Sequence, residues 1–261
     1  MLTLHQFVSS HFNEKVRWAL DYKEIPHVRE SYLPGPHAPL IKKLSGGPTT
    51  TPLLQHDHGY ISGSAAIIDF LEHEYPEPWL YPADESQRAK ALSIQERFDA
   101  VVGPATRTVV FNVFVNEGAY LCATFSAPKP WLKRVAYRAL FPLAKPLISK
   151  ANGVNPENVE KCLQTTRDAL DEVVSMTAPT GYMVGDAFSI ADLTVASLLM
   201  PLVNVDHPDT RRVEPMPDSL ATFLAQWQPH PAIAWVREIY AKHRPVVALT
   251  GAALEKEAAR S

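Results

Sequence analysis

Over the first 80 or so residues the spacing of apolar positions changes several times. Leu2 to Val8 reads as a short strand. From Ser10 to Lys23, Val16, Ala19 and Leu20 fall at helical spacing, which predicts a helix with one buried face. His27 to Leu33 predicts a second strand, ended by Pro34-Gly35-Pro36. After a loop rich in Gly, Pro and Thr, Pro52-Leu53-Leu54-Gln55 and Tyr60-Ile61 flank the polar turn Asp57-His58-Gly59, the pattern of a hairpin. Ile67, Ile68 and Leu71 then mark the buried stripe of a helix starting at Ser64. The order is β-α-β, a connection, then β-β-α, and its first three elements suit a parallel pair with a crossover helix.

The Pro-rich stretch from Tyr75 to Pro82 closes this unit, and only helical periods follow. One helix is predicted from about Glu85 into the 110s with a kink at Gly103-Pro104, because proline removes a helix hydrogen bond. Others fit roughly 155–177, 189–203, 217–227 and 231–243. The fold class expected is α/β plus all-α, with domains over residues 1–80 and 85–261.

Composition narrows the class without naming an activity. The chain is 46% hydrophobic and 20% charged with a net charge of −3, ordinary for a soluble protein and no reason to expect nucleic acid as a partner. No apolar run approaches the ~18 residues of a membrane span, and the N-terminus lacks signal-peptide regions. Cys122 and Cys162 form no ligand-like pair and the histidines no metal motif, so a cytoplasmic protein without metal is expected. Charge is unevenly spread. Between Gly118 and Pro156 the only charged residues are Lys129, Lys133, Arg134, Arg138, Lys145 and Lys150, which leaves the remainder at −9. One or two packed helices with a solvated basic face, broken at Pro142 and Pro146, are the expectation there. A basic amphipathic surface for anionic ligands or membrane lipid is the alternative.

Four motifs carry candidate chemistry. Ser10 (or Ser9) stands where a strand gives way to a helix and can cap its first turn. The same helix start would stabilise an anion, and a serine hydroxyl could donate to a bound thiolate, holding the nucleophile without being one. At Thr51-Pro52, proline suits the first residue of a strand; a cis bond would expose the Thr51 backbone to a peptide-like ligand. Ser64, after Ser62-Gly63, caps a second helix and could receive a carboxylate. Finally, Ser189 and Asp192 form a capping box that builds the fold.

In this order the motifs resemble the glutathione S-transferase superfamily over about residues 2–244. The resemblance implies a thioredoxin-like domain joined to an all-helical one, glutathione as co-substrate, and a homodimer. Ser10-His11-Phe12 with Lys15-Val16-Arg17 is similar to the signature of serine-type members, in which the serine activates glutathione. By the same resemblance Thr51 pairs with the glutathione backbone ahead of cis Pro52, Ser64 receives the γ-glutamyl carboxylate, and Lys43 or Lys42 meets the glycyl carboxylate. Two positions depart from the pattern. Gly63 replaces an acidic residue, removing a contact to the γ-glutamyl ammonium, and His11 replaces a proline, either at the surface or facing the thiol. The implied activity is transfer of glutathione to or from an apolar electrophile, in a pocket lined by His11, Phe12, Phe98, Arg107, Phe111, Phe114 and Tyr120. A binding or scaffold protein without catalysis, or a glutathione-dependent reductase, peroxidase or isomerase, are the other readings. With no cysteine before Cys122, disulfide chemistry is disfavoured.

Overall fold

A computed structural model describes residues 1–127 and 129–247. Four strands, β1 (Leu2–Gln6), β2 (His27–Ser31), β3 (Leu53–His56) and β4 (Gly59–Ser62), form one sheet in the order β2-β1-β3-β4. β1 and β2 run parallel with Leu4 opposite Arg29, joined by α1 (His11–Tyr22). β1–β3 and β3–β4 are antiparallel. α3 (Ser64–Glu74) packs with α1 on the sheet, which gives the thioredoxin-like arrangement expected. One element was not foreseen: the Gly/Pro/Thr loop contains a helix, α2 (Ala38–Ser45), seated by the fully buried Ile41 and ended at Gly46 with φ +71°. A single buried residue leaves almost no period to read.

The remainder of the described chain is helical. α4 (Glu85–Arg97) leads into a π-helical segment (Phe98–Val102) and then α5 (Gly103–Phe114). The expected kink is thus a change of register just before Pro104, where the ring removes the next N–H donor. α6 (Gly118–Ser126) and α7 (Trp131–Ala151) occupy the basic segment. α8 (Pro156–Thr177), α9 (Ile190–Leu199), α10 (Asp218–Ala225) and α11 (Pro231–His243) follow their sequence expectations closely. The Ser189 capping box is formed, with Asp192 Oδ2 accepting from the Ser189 backbone at 2.9 Å.

Two expectations are corrected. α1 is not buried on one face alone: every residue from Asn13 to Asp21 is buried, because the helix lies between α3 and the sheet on one side and α9 on the other. α7 is one continuous helix through Pro142 and Pro146, and no residue of it is buried. Both prolines lie on exposed positions, where water can take the carbonyls they leave unpaired.

Candidate functional site

Three of the sequence motifs are tied together at one end of the sheet. Ser10 is the N-cap of α1 with extended backbone, φ −129°, and its hydroxyl accepts the Asn13 N–H at 3.5 Å, the outer limit of a hydrogen bond. Asn13 in turn donates from Nδ2 to Thr51 Oγ1 at 3.1 Å, while its buried Oδ1 has no hydrogen-bond partner. The Thr51–Pro52 bond is cis. The Pro52 carbonyl accepts the Gly63 N–H at 3.1 Å, which carries the chain of contacts to the start of α3. Asn13 is the link that sequence reasoning missed; its partner is 38 residues away and no local spacing announces it.

At α3 the cap is Gly63 rather than Ser64. Gly63 has φ +95°, a conformation L side chains rarely adopt, so the helix begins one residue later, with Ser64 buried as its first residue. A Cβ placed on Gly63 would meet nothing within 4 Å, so open space lies beside this position. Lys42 and Lys43 stand exposed in the last turn of α2.

His11 is not at the surface. It is 5% exposed, and its Nε2 lies 3.0 Å from the Gly103 carbonyl. A carbonyl can only accept, so Nε2 carries the proton and Nδ1 the lone pair. Burial, aided by the Arg107 charge, lowers its pKa to about 3 and keeps the ring neutral. Phe12 sits against the same residue: a Cβ on Gly103 would fall 2.8 Å from Phe12 Cζ. The α1 start is thereby seated on the join between the π-helical segment and α5.

Beside it opens a cleft of about 630 Å³ with its solvent mouth included. Ser9 and His11, the neighbours of Ser10 in the chain, form part of its wall. Arg107, Phe111, Phe114 and Tyr120 line it as expected, together with Phe125, Thr124 and Arg212. Phe98 does not take part; it is fully buried in the core. Phe12 serves the contact with Gly103. Phe125 and Thr124 were missed because α6 spans only nine residues, and Arg212 because it lies in the aperiodic stretch before α10. Arg107 Nε, Arg212 Nε and the Tyr120 and Thr124 hydroxyls are all buried without a hydrogen-bond partner. Thr124 is close enough to affect ionisation of the phenol but forms no bond of proper geometry with it. Chemically, the cleft offers aromatic walls and unmatched donors to a ligand acceptor group.

The Lys15-Val16-Arg17 triplet is buried, and its two charges are met within the protein. Lys15 Nζ pairs with Asp99 of the π-helical segment at 2.7 Å, and Arg17 with Glu14 at 2.8 Å. Arg244 reaches Glu14 and Asp21 at 2.8 Å and Asp209 at 2.6 Å, and Arg29 bridges Asp21 and Asp209. Burial opposes ionisation of Asp209, but Arg17, Arg29 and Arg244 outweigh it and bring its pKa to about 2. Burial likewise acts against Glu14, and Arg244 and Arg17 hold its carboxyl below the usual range. Among the described residues no group of His, Cys, Asp and Glu could hold a metal ion.

Residues 4–79 match the family described as glutathione S-transferase, N-terminal domain. Over 114 residues the chain is 27% identical to a glutathione S-transferase of Pseudomonas putida; the match spans 44% of this chain and about half, 51%, of that relative. The fold is similar to that of the β-etherase LigF from Sphingobium sp. strain SYK-6, with a TM-score of 0.63, 18% identity, and 100% and 99% of the two chains covered. It is also similar to a glutathione S-transferase from Methylobacterium radiotolerans in complex with glutathione sulfonate, with a TM-score of 0.55, 18% identity and 95% and 96% coverage.

Proposed function

We propose, from the family match of residues 4–79 and the likeness of fold, that the protein is a glutathione S-transferase-type chain that binds glutathione at the α1 start and transfers it to or from an apolar electrophile. In this reading Ser10 donates its hydroxyl hydrogen bond to the glutathione thiolate. Thr51 pairs with the glutathione backbone before Pro52, Ser64 and the start of α3 take the γ-glutamyl carboxylate, and Lys43 meets the glycyl end. Residues 1–80 then form the glutathione domain and 85–261 the domain that holds the electrophile against Phe111, Phe114 and Phe125. A cytoplasmic homodimer belongs to the same reading.

The observation that carries it is the weak cap at Ser10. Its hydroxyl accepts at 3.5 Å and is held by nothing stronger among its described contacts, so it can turn to a thiolate beside the partial positive charge of the helix start. A charge-assisted hydrogen bond of this kind contributes about 1.5–3 kcal/mol. Ser10→Ala is therefore expected to lower conjugation kcat/KM about 10- to 100-fold and to raise the pKa seen in its pH profile, with retention on immobilised glutathione preserved. Unchanged activity in Ser10→Ala would remove Ser10 from the mechanism.

A second reading is favoured by Gly63, which offers no carboxylate to the γ-glutamyl ammonium. A glutathione-fold binding protein without catalysis would bind partners but show no conjugation in wild type, which the same assay distinguishes. A thiol–disulfide reductase reading has less support, since both Cys122 and Cys162 are buried.

A further inference from the structure

Among the described residues, three contacts of α7 with the rest of the protein come from one flank. Tyr137 donates to the Pro34 carbonyl at 3.1 Å, the Phe141 ring fills the space above Gly118, and Lys145 donates to Asn116 Oδ1 at 3.1 Å. At 100° per residue, these three share a face of the helix. The opposite face carries Leu132, Val135, Leu140, Leu143 and Leu147, which are 58–82% exposed. An amphipathic helix packed on a protein turns its apolar side inward. Here a second, larger apolar side turns outward, and Trp131, 68% exposed, stands at its first turn. Each such aliphatic side chain gains about 1.5–3 kcal/mol when covered, so a continuous strip of them marks a docking surface.

The charges select what covers it. Arg138 borders the strip on the side of Trp131, Lys133 borders it beside Leu140 and Lys150 closes its end, while Arg134 stands exposed one turn before Arg138 toward the contact flank; no acidic residue occurs anywhere from Gly118 to Pro156. Neither Arg134 nor Arg138 forms an ion pair among the described residues. A second copy laid on this face would bring cations against cations around the strip. An anionic bilayer surface matches both features at once, since acyl chains cover the leucines while headgroups meet the lysines and arginines, each worth about 1 kcal/mol near such a surface. Trp131 suits the boundary between them. No helix among the described residues is long and apolar enough to cross a membrane. The 21 residues of α7 give it about 31 Å to lie along one.

We propose that α7 is an interfacial lipid-binding element that docks the folded protein on anionic membrane surfaces, its outward leucine strip entering the headgroup layer. The test is vesicle flotation of the full chain with phosphatidylcholine vesicles, with and without about one third phosphatidylglycerol. Binding is expected only with the anionic lipid and falls several-fold on raising salt from 0.1 to about 0.5 M. Leu143→Asp is expected to abolish flotation, and Arg134→Glu/Arg138→Glu to reduce it at least about 10-fold. Leu143 is 82% exposed and Arg134 and Arg138 are exposed too, so both variants keep the wild-type melting temperature and circular dichroism. Equal flotation with neutral vesicles, none with either, or binding retained in Leu143→Asp would overturn the proposal. Light scattering supplies the remaining arm: a lipid-free dimer that Leu143→Asp converts to monomer assigns the face to a second copy and overturns it too.

Discussion

An imidazole buried against a carbonyl has its protonation state decided by its surroundings. At His11 the Gly103 carbonyl demands a donor at Nε2, and burial resists a second proton, so the pKa stands at about 3 rather than 6.5. The folded pKa is lowered, so the unfolded chain takes up the proton first. His11 therefore contributes stability above pH 6.5 that is lost progressively as pH falls toward 3. Between pH 7 and 5 that loss amounts to about 2 kcal/mol. His11→Gln keeps an N–H donor without titrating, and its urea-melt stability is expected to fall less over this interval than that of wild type, by about the same amount. Parallel pH profiles for the two proteins would refute the assignment. At this scale the sequence was readable where chemistry is local. Ser10 as cap and the hydroxyl-Pro-strand grammar of Thr51-Pro52 follow from neighbours in the chain. His11 was misread and Asn13 missed because their partners, Gly103 and Thr51, lie 92 and 38 residues away.

Elements meet most tightly where α1 rests on the π-helical segment. Gly103 sits inside a helix, where alanine is ordinarily better by about 0.8–1 kcal/mol. Here an added Cβ would come 2.8 Å from Phe12 Cζ and 3.2 Å from Leu198 Cδ1. Overpacking of this kind costs about 1–3 kcal/mol, so the clash exceeds the propensity gain. Gly103→Ala is expected to lower the melting temperature, and Phe12→Leu added to it to recover part of the loss. A rise in Tm for the single variant would show that Phe12 moves aside freely. Helices with one strong stripe, such as α8 and α11, were legible to within a residue. α1 was found but its environment was not, since Glu14, Lys15 and Arg17 look like a solvated face until their partners are known. α7 misled for the opposite reason: its leucines imitate a core-facing stripe, and periodicity does not say which side is covered.

Taken whole, the molecule is held at the base of its site by ions rather than apolar contact alone. Three arginines, Arg17, Arg29 and Arg244, meet three acids, Glu14, Asp21 and Asp209. Removing one member of such a cluster leaves an uncompensated buried charge, which costs about 3–5 kcal/mol. Arg244→Met is accordingly expected to destabilise by that order in denaturant melts, and an effect below about 1 kcal/mol would mean that the cluster is dispensable. Acid should act in the same direction. Asp209 has a depressed folded pKa of about 2 against an ordinary 3.8, so its share is fully present above pH 4 and disappears as pH falls toward 2. None of this was visible in the sequence, where the six residues lie scattered from position 14 to 244.

That scatter also sets an order of events in the cell. The Arg244 bonds to Glu14 and Asp21 close over 230 and 223 residues, and Trp18 donates to the His243 carbonyl over 225. At about 5–20 residues per second, a ribosome takes on the order of 10–45 s to travel from the acids to their cation. Through that interval the nascent sheet and α1 can pair and collapse, but Glu14 and Asp21 await the last charge that neutralises them. The sheet and α1 thus complete their interior only once Arg244 has been made.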